Sequence, residues 1–366
     1  MFRFFTHFLL SLRYFVLLLL LAGCQNTPSN SSDLAVEINP ELKQLNAMIR
    51  GIDQGYYGQI DSVLVVNRQR VVVEHYFGQQ QRHNLHPIAG ITHSVTALLL
   101  GIAIEQGHIN SVNDPISLYL PEYQHLLVDG RERITIHDLL IMGAGLDWYE
   151  ISPHPTTKIN DHQLQRDSDD CIAYVLSQPF NQATRGQFKY STGFITVLGV
   201  IIENATGESL PDYANRVLFA PMGIYHVGWG YLPDGKINAA TGLGLRPMDI
   251  AKLGELMQQK GLWNDQSLVS PYWIEQTLSS HIVSPWGSDF GYGWWSLVMP
   301  YQESYLRIEQ AAGAFGQRLY LLPDLETVIV FTGSNSQEQG ESLTHAITTY
   351  VIPQFYHHSN EPLAIF

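Results

Sequence analysis

The sequence predicts an α/β protein of the α+β type, in which an antiparallel sheet flanked by helices is joined to a mainly helical subdomain. Three observations carry this expectation. Strand signals cluster towards the two ends, over residues 62–77 and again over 290–332. The intervening stretch 109–240 is poor in strand signals and carries helical runs. Between the first strand pair and that stretch lies 87–108, in which nearly every residue from Ser94 to Ile104 is apolar or small. Such a segment has no broad polar face to give to water, so it reads as a helix through the middle of a domain with one polar end, Gly90-Ile91-Thr92-His93-Ser94.

Taken in order, residues 41–52 space Leu42, Leu45, Met48 and Ile49 along one helical face. Residues 62–77 read as two strands around a polar turn at Asn67 to Arg70, with Gly78 closing the hairpin. After the core helix, helices are expected at 168–177, 192–205, 247–260 and 273–280. Strands are expected at 290–295, 317–322 and 327–332, the last two meeting at the Pro323-Asp324 turn. A final helix is expected over 340–352. On this reading a sheet subdomain comprises about 41–108 and 241–366 and a helical subdomain about 109–240. The cleft between them is the expected ligand site.

Composition narrows the partners. The 366-residue chain is 45% hydrophobic and 15% charged, which suits an ordered domain. It carries 20 Lys and Arg against 34 Asp and Glu, a net charge of −14, so it lacks the basic footprint of a nucleic-acid binder. Residues 1–24 read as a targeting segment: Arg3 and Arg13, a short apolar run from Tyr14 to Leu21, then Leu21-Ala22-Gly23-Cys24. This resembles the lipobox of a bacterial lipoprotein. The resemblance implies lipidation at Cys24, the membrane as partner through that lipid, and a bacterial cell-envelope location in the periplasm or at the cell surface. Gln25, where an Asp would suggest inner-membrane retention, tilts the expectation to the outer membrane. Residues 25–40 have tether composition. With Cys24 lipidated, Cys171 has no disulfide partner and reads as a small buried residue.

Several segments resemble a known family. Gly101-Ile-Ala-Ile-Glu-Gln-Gly-His with Leu120-Pro-Glu-Tyr, Ile134-Thr-Ile-His-Asp-Leu-Leu-Ile-Met with Gly145-Leu-Asp-Trp, and Phe188-Lys-Tyr-Ser-Thr-Gly come first. Ala205-Thr-Gly-Glu-Ser-Leu, Ala220-Pro-Met-Gly-Ile, Arg246-Pro-Met-Asp-Ile-Ala-Lys-Leu-Gly, Tyr292-Gly-Trp-Trp and Gly316-Gln follow. In this order, from about residue 45 to 355, they resemble the β-lactamase-related serine hydrolases, a group that includes class C β-lactamases, D-alanyl-D-alanine carboxypeptidases and 6-aminohexanoate-dimer hydrolases. The resemblance implies a β-lactamase/transpeptidase-like fold.

Active members of that group use three motifs, and here all three depart. A Ser-x-x-Lys at the start of the core helix places nucleophile and base one turn apart. Aligned through the residues that follow, it falls on Gly90-Ile-Thr-His93, and no lysine of the chain has a serine three positions before it. The Tyr-x-Asn motif keeps Tyr190 and Ser191 but has Thr192 for the asparagine. The Lys-Thr-Gly or His-x-Gly motif, which helps shape the oxyanion hole, falls on Gly313-Ala314-Phe315-Gly316, with Ala314 at the histidine. A glycine has no atom with which to attack an acyl carbon, so the family's acyl-enzyme route is closed at this position. Losing such a nucleophile costs several powers of ten in rate.

The expected function is therefore a catalytically inactive binding or scaffolding module, with a peptidoglycan peptide or an envelope protein as the partner suggested by compartment and fold ancestry. The alternative is an amide or ester hydrolase rebuilt on His93 and Tyr190, with His93 activating a water or Ser191 as a relocated nucleophile. No cofactor is expected. His137, His154 and His162 lack ligand spacing with a partner carboxylate, so no metal site is expected either.

Overall fold

In the first hairpin Val63 and Val65 alternate with Leu64 and Val66, so the strands carry apolar side chains on both faces and the sheet must be covered twice. The computed structural model describes residues 40–151, 160–335 and 342–356. Its main sheet has eight antiparallel strands: β1 (Ile60–Asn67), β2 (Arg70–Tyr76), β3 (Ile282–Val283), β4 (Asp289–Phe290), β5 (Trp295–Tyr301), β6 (Ser304–Gly313), β7 (Gln317–Leu322) and β8 (Thr327–Gly333). Their order is β2-β1-β8-β7-β6-β5-β4-β3, so the N-terminal hairpin pairs with the last strand, as expected of a sheet built from both ends of the chain. The β1–β2 turn uses Arg68 and Gln69 at φ of +48° and +60°, the left-handed pair a two-residue hairpin demands.

The helices that position the site are α1 (Lys43–Asp53), α2 (Ile91–Glu105), α3 (Thr192–Thr206), α4 (Pro247–Gln258) and α5 (Pro271–Leu278). One sheet face, with Val63, Val65, Tyr320, Ile329 and Phe331, packs under Leu45, Met48 and Ile52 of α1 and under Ile347 and Val351 of the C-terminal helical run. The other face, with Leu64, Leu319, Leu321, Val328 and Val330, shares a core with α2, α3 and α4.

Two expectations need correction. The strand expected at 290–295 is two, because Gly291–Trp294 turn between β4 and β5: Gly293 sits at φ +82° and Gly291 N–H donates to the Trp294 carbonyl at 2.9 Å. The ten-residue β6, the longest strand of the sheet, was not expected at all. Its Arg307 and Glu309 obscure the apolar alternation, yet Glu309 is fully buried, paired with Arg307 and accepting from the Ser296 hydroxyl.

Helix α2 is buried at every position from Ile91 to Ala103. Two of its polar groups are spent on neighbouring backbone: the Ser94 hydroxyl donates to the Gly293 carbonyl at 2.8 Å and the Thr96 hydroxyl to the Ala239 carbonyl at 2.7 Å. The Trp273 indole N–H of α5 donates to the Ala97 carbonyl at 3.0 Å and lies across Gly101, where a Cβ would stand 2.0 Å from Trp273 Nε1. Gly101→Ala must therefore displace that indole. Thermal unfolding followed by circular dichroism is expected to show a loss of about 1–3 kcal/mol, the usual cost of overpacking.

Candidate functional site

The polar end of α2 meets the C-terminal end of β6. Gly90 caps the helix, and a Cβ on it would stand 2.6 Å from the Ala312 carbonyl oxygen, 3.3 Å from the Tyr190 hydroxyl and 3.5 Å from Gly313 Cα. A Cβ on Gly313 would in turn lie 2.5 Å from the Ile88 carbonyl oxygen and 3.0 Å from Gly90 N. Two backbones thus approach at van der Waals distance through two glycines, and the space in which a side chain at position 90 would begin is filled by a carbonyl.

One helical turn on, His93 is 3% exposed. Its ring stacks on Tyr190, with centroids 5.5 Å apart, and Tyr190 stacks on Trp295 at 6.5 Å. Among the described residues His93 Nε2 has no hydrogen-bond partner. Burial, and to a lesser degree neighbouring His162, hold the imidazolium pKa down to about 3, so the ring is neutral at physiological pH. Burial first, and Glu150 second, push the Tyr190 hydroxyl pKa up, so it stays protonated and able to donate. Trp295 is half-buried and continues the wall outwards to Trp286, at 6.2 Å, whose ring is 59% exposed. Of the Tyr292-Gly-Trp-Trp segment, Tyr292 and Trp294 are buried core residues; Trp295 borders the cleft.

The remaining sequence-predicted residues divide. Ser191 is fully buried, and its hydroxyl accepts from the Phe194 N–H at 3.2 Å as the N-cap of α3. That oxygen is therefore aimed along its own helix. Thr192 turns to a group the sequence reading did not single out: its N–H and hydroxyl both donate to Glu150 Oε2, at 2.8 and 3.0 Å. His162 Nδ1 lies 2.8 Å from the same hydroxyl oxygen, which brings to the site a histidine weighed before only as a metal ligand. No local pattern signals Glu150, which lies in a loop, or His162, which lies in the short helix Asp161–Arg166. Gly313 touches Gly90, as above, but Ala314 and Phe315 are exposed. Phe315, at φ +66°, and Gly316, at +94°, make the corner between β6 and β7, tied down by the Asn335 N–H donating to the Phe315 carbonyl at 3.2 Å. Cys24 lies outside the described residues. Among the described residues no three His, Cys, Asp or Glu side chains converge as a metal site. Cys171 is buried, its thiol pushed up in pKa by burial and by Asp234.

Comparison with known proteins places this geometry. A family described as Beta-lactamase matches residues 46–349. The chain is 24% identical over 234 residues to the 6-aminohexanoate-dimer hydrolase of Paenarthrobacter ureafaciens, covering 60% of this chain and 57% of that one. It is similar in structure to a penicillin-binding protein homologue from Pyrococcus abyssi, with a TM-score of 0.64, 19% identity and coverage of 85% and 76% of the two chains. A class C beta lactamase from Rhodobacter sphaeroides gives a TM-score of 0.62 at 14% identity, covering 86% and 99%. The chain spans about half the length of the curated relatives it matches. These structural likenesses establish the β-lactamase and penicillin-binding-protein fold.

The depressed His93 pKa ties the site to stability. Above pH 6.5 the imidazole is neutral folded and unfolded. As pH falls from 6.5 towards 3 the unfolded chain takes up a proton that the folded chain refuses, so stability falls by up to about 1.4 kcal/mol per pH unit. Chemical denaturation between pH 7 and 4 is expected to give a flatter acid limb for His93→Leu than for the parent protein.

Proposed function

The chain belongs to the beta-lactamase family, and we propose that in this member the cleft at Gly90, His93 and Tyr190 binds a ligand without forming an acyl-enzyme. The contact between Gly90 and the Ala312 carbonyl carries this reading. Chemistry through a side chain at position 90 needs room for a Cβ and a hydroxyl, and a backbone oxygen stands 2.6 Å from where the Cβ would be. The hydroxyls of Ser94 and Ser191 are engaged with the backbone and that of Thr192 with Glu150. The stacked His93–Tyr190 pair favours a second reading, an amide or ester hydrolase that activates water. Against it, a base whose conjugate acid has a pKa of about 3 lies far below the range in which general-base catalysis is efficient near neutrality.

A fluorophosphonate or a fluorescent penicillin separates the two. The purified protein is expected to take up neither label, and Gly90→Ser is expected to remain unlabelled while losing stability, because the new Cβ collides with Ala312. A stable adduct on any serine of the parent protein overturns the binding reading.

We further propose that the domain is held at the bacterial envelope by lipid on Cys24, with Leu21-Ala22-Gly23-Cys24 as support. A peptidoglycan peptide or an envelope protein is then the partner within reach. Replacing Cys24 with Ala is expected to move the protein from the membrane to the soluble fraction; a variant that still sediments with membranes defeats the anchor.

A further inference from the structure

Tyr292 lies in the turn that joins β4 to β5 and is 2% exposed. It stands next to Gly293, whose carbonyl accepts from Ser94 of α2, and three residues before Trp295 of the cleft wall. His281 stacks on its ring, with centroids 4.4 Å apart and planes 6° from parallel, and Trp273 of α5 leans on it at 5.4 Å. Its hydroxyl lies 2.9 Å from Nδ1 of His137, in the helix Ile136–Leu140. The two imidazoles meet each other edge to face at 5.4 Å. His281 Nε2 is 2.8 Å from the Gln276 carbonyl oxygen, which has no hydrogen to give, so that nitrogen carries N–H. Three rings thus join a helix of the region 109–240 to the strand ends that carry the cleft wall.

This joint has no counter-ion of its own. Among the described residues neither imidazole forms an ion pair; their partners are the Tyr292 hydroxyl and the Gln276 carbonyl. The carboxylate next to His137, that of Asp138, is already occupied. Its Oδ2 accepts from Arg185 Nε and Nη2 at 3.0 and 2.5 Å and from the Thr135 N–H and hydroxyl, both at 2.8 Å. The charged groups that reach His137 are therefore His281 and Arg185, which oppose a proton on it, and Asp138, which favours one; Tyr272 is the ionisable neighbour of Tyr292. Burial first, and His281 second, hold the His137 imidazolium below its ordinary pKa. Protons on both rings would set like charges across a 5.4 Å contact in a half-buried place, where salt screens little.

We propose that His137, Tyr292 and His281 form an acid-sensitive latch, which holds residues 289–295 against the helix Ile136–Leu140 and releases them, with Trp295 and the outer cleft wall, when both imidazoles are charged. The latch does not depend on the binding reading above, because a hydrolytic cleft would share the same wall. Its sign follows from linkage. The open form takes up a proton on His137 below about pH 6.5, whereas the closed form refuses it until lower pH. The latch is therefore closed at neutral pH and opens as pH falls.

Hydrogen exchange of the full chain, read by mass spectrometry and corrected for the intrinsic rates at each pH, tests this. In the parent protein the protection of residues 289–295 is expected to fall at least about tenfold between about pH 7.5 and about pH 5. His137→Gln keeps a polar group beside Tyr292 but cannot charge, and the same segment is expected to lose less than about threefold over that range. Strand β7 reports the global acid effect that both proteins share through His93, and is expected to respond alike in the two. Should His137→Gln fail to fold, His281→Gln reads the same flattened response. In that variant the His137 Cε1–H resonance is also expected to titrate at higher pH than in the parent, a shift that a merely structural contact would not produce. An acid response of 289–295 that is equal in parent and variants, a difference that extends equally to β7, or an unmoved His137 titration in His281→Gln overturns the latch. Covalent labelling that defeats the binding reading leaves these outcomes unchanged.

Discussion

The close approach of Gly90 to Ala312 and Gly313 is the constraint on which the rest of the site depends. It docks the N-terminus of α2 against the end of β6, so the central helix and the sheet are registered by backbone rather than by side chains. The arrangement is electrostatically favourable, because the Ala312 carbonyl lies at the positive end of the helix dipole. It also means that position 90 cannot acquire a side chain without moving a strand that is paired along its length with β5 and β7. Glycine at position 90 is therefore required by the surrounding backbone.

Burial then sets the chemistry around that contact. A lysine one turn into α2 would place a cation where the structure has a neutral, almost fully buried imidazole. Glu150 is buried as well, and its carboxyl is pushed up in pKa by desolvation, an effect opposed but not cancelled by the donors from Thr192 and Trp148. With the Tyr190 hydroxyl kept protonated and His93 neutral, the inner cleft presents neutral donors and acceptors, and Glu150 is held by the donors set on it. Such an interior recognises shape and hydrogen-bond polarity more than charge.

Much of the fold was legible in the sequence because it rests on local pattern. The hairpin around Asn67 to Arg70, the uniformly apolar α2 and the strands flanking Pro323 all announce themselves by periodicity and turn chemistry. Strand β6 escaped because its charged residues are neutralised by partners distant in sequence, with Glu309 buried against Ser296 of the neighbouring strand. The site divides in the same way. Gly90, His93 and Tyr190 stand where the motif frame of the family puts them, and the structure brings them together. Ser191 looked like a spare hydroxyl, yet the start of α3 needs it as a cap. Glu150 and His162 were invisible as a pair because the link between them is Thr192, and no spacing rule joins residues 150, 162 and 192.

The three motif departures are physically coupled. With glycine at position 90, the Ala312 carbonyl of β6 fills the space in which a side chain would begin. Glu150 is satisfied by the Thr192 N–H and hydroxyl. The Thr192 hydroxyl oxygen also lies 2.8 Å from His162 Nδ1. Random decay of a catalytic site leaves orphaned polar groups wherever a partner was lost, each costing about 1–3 kcal/mol. Here Glu150 keeps three donors, while Thr92 Oγ1 and His93 Nε2 are left buried without a partner among the described residues.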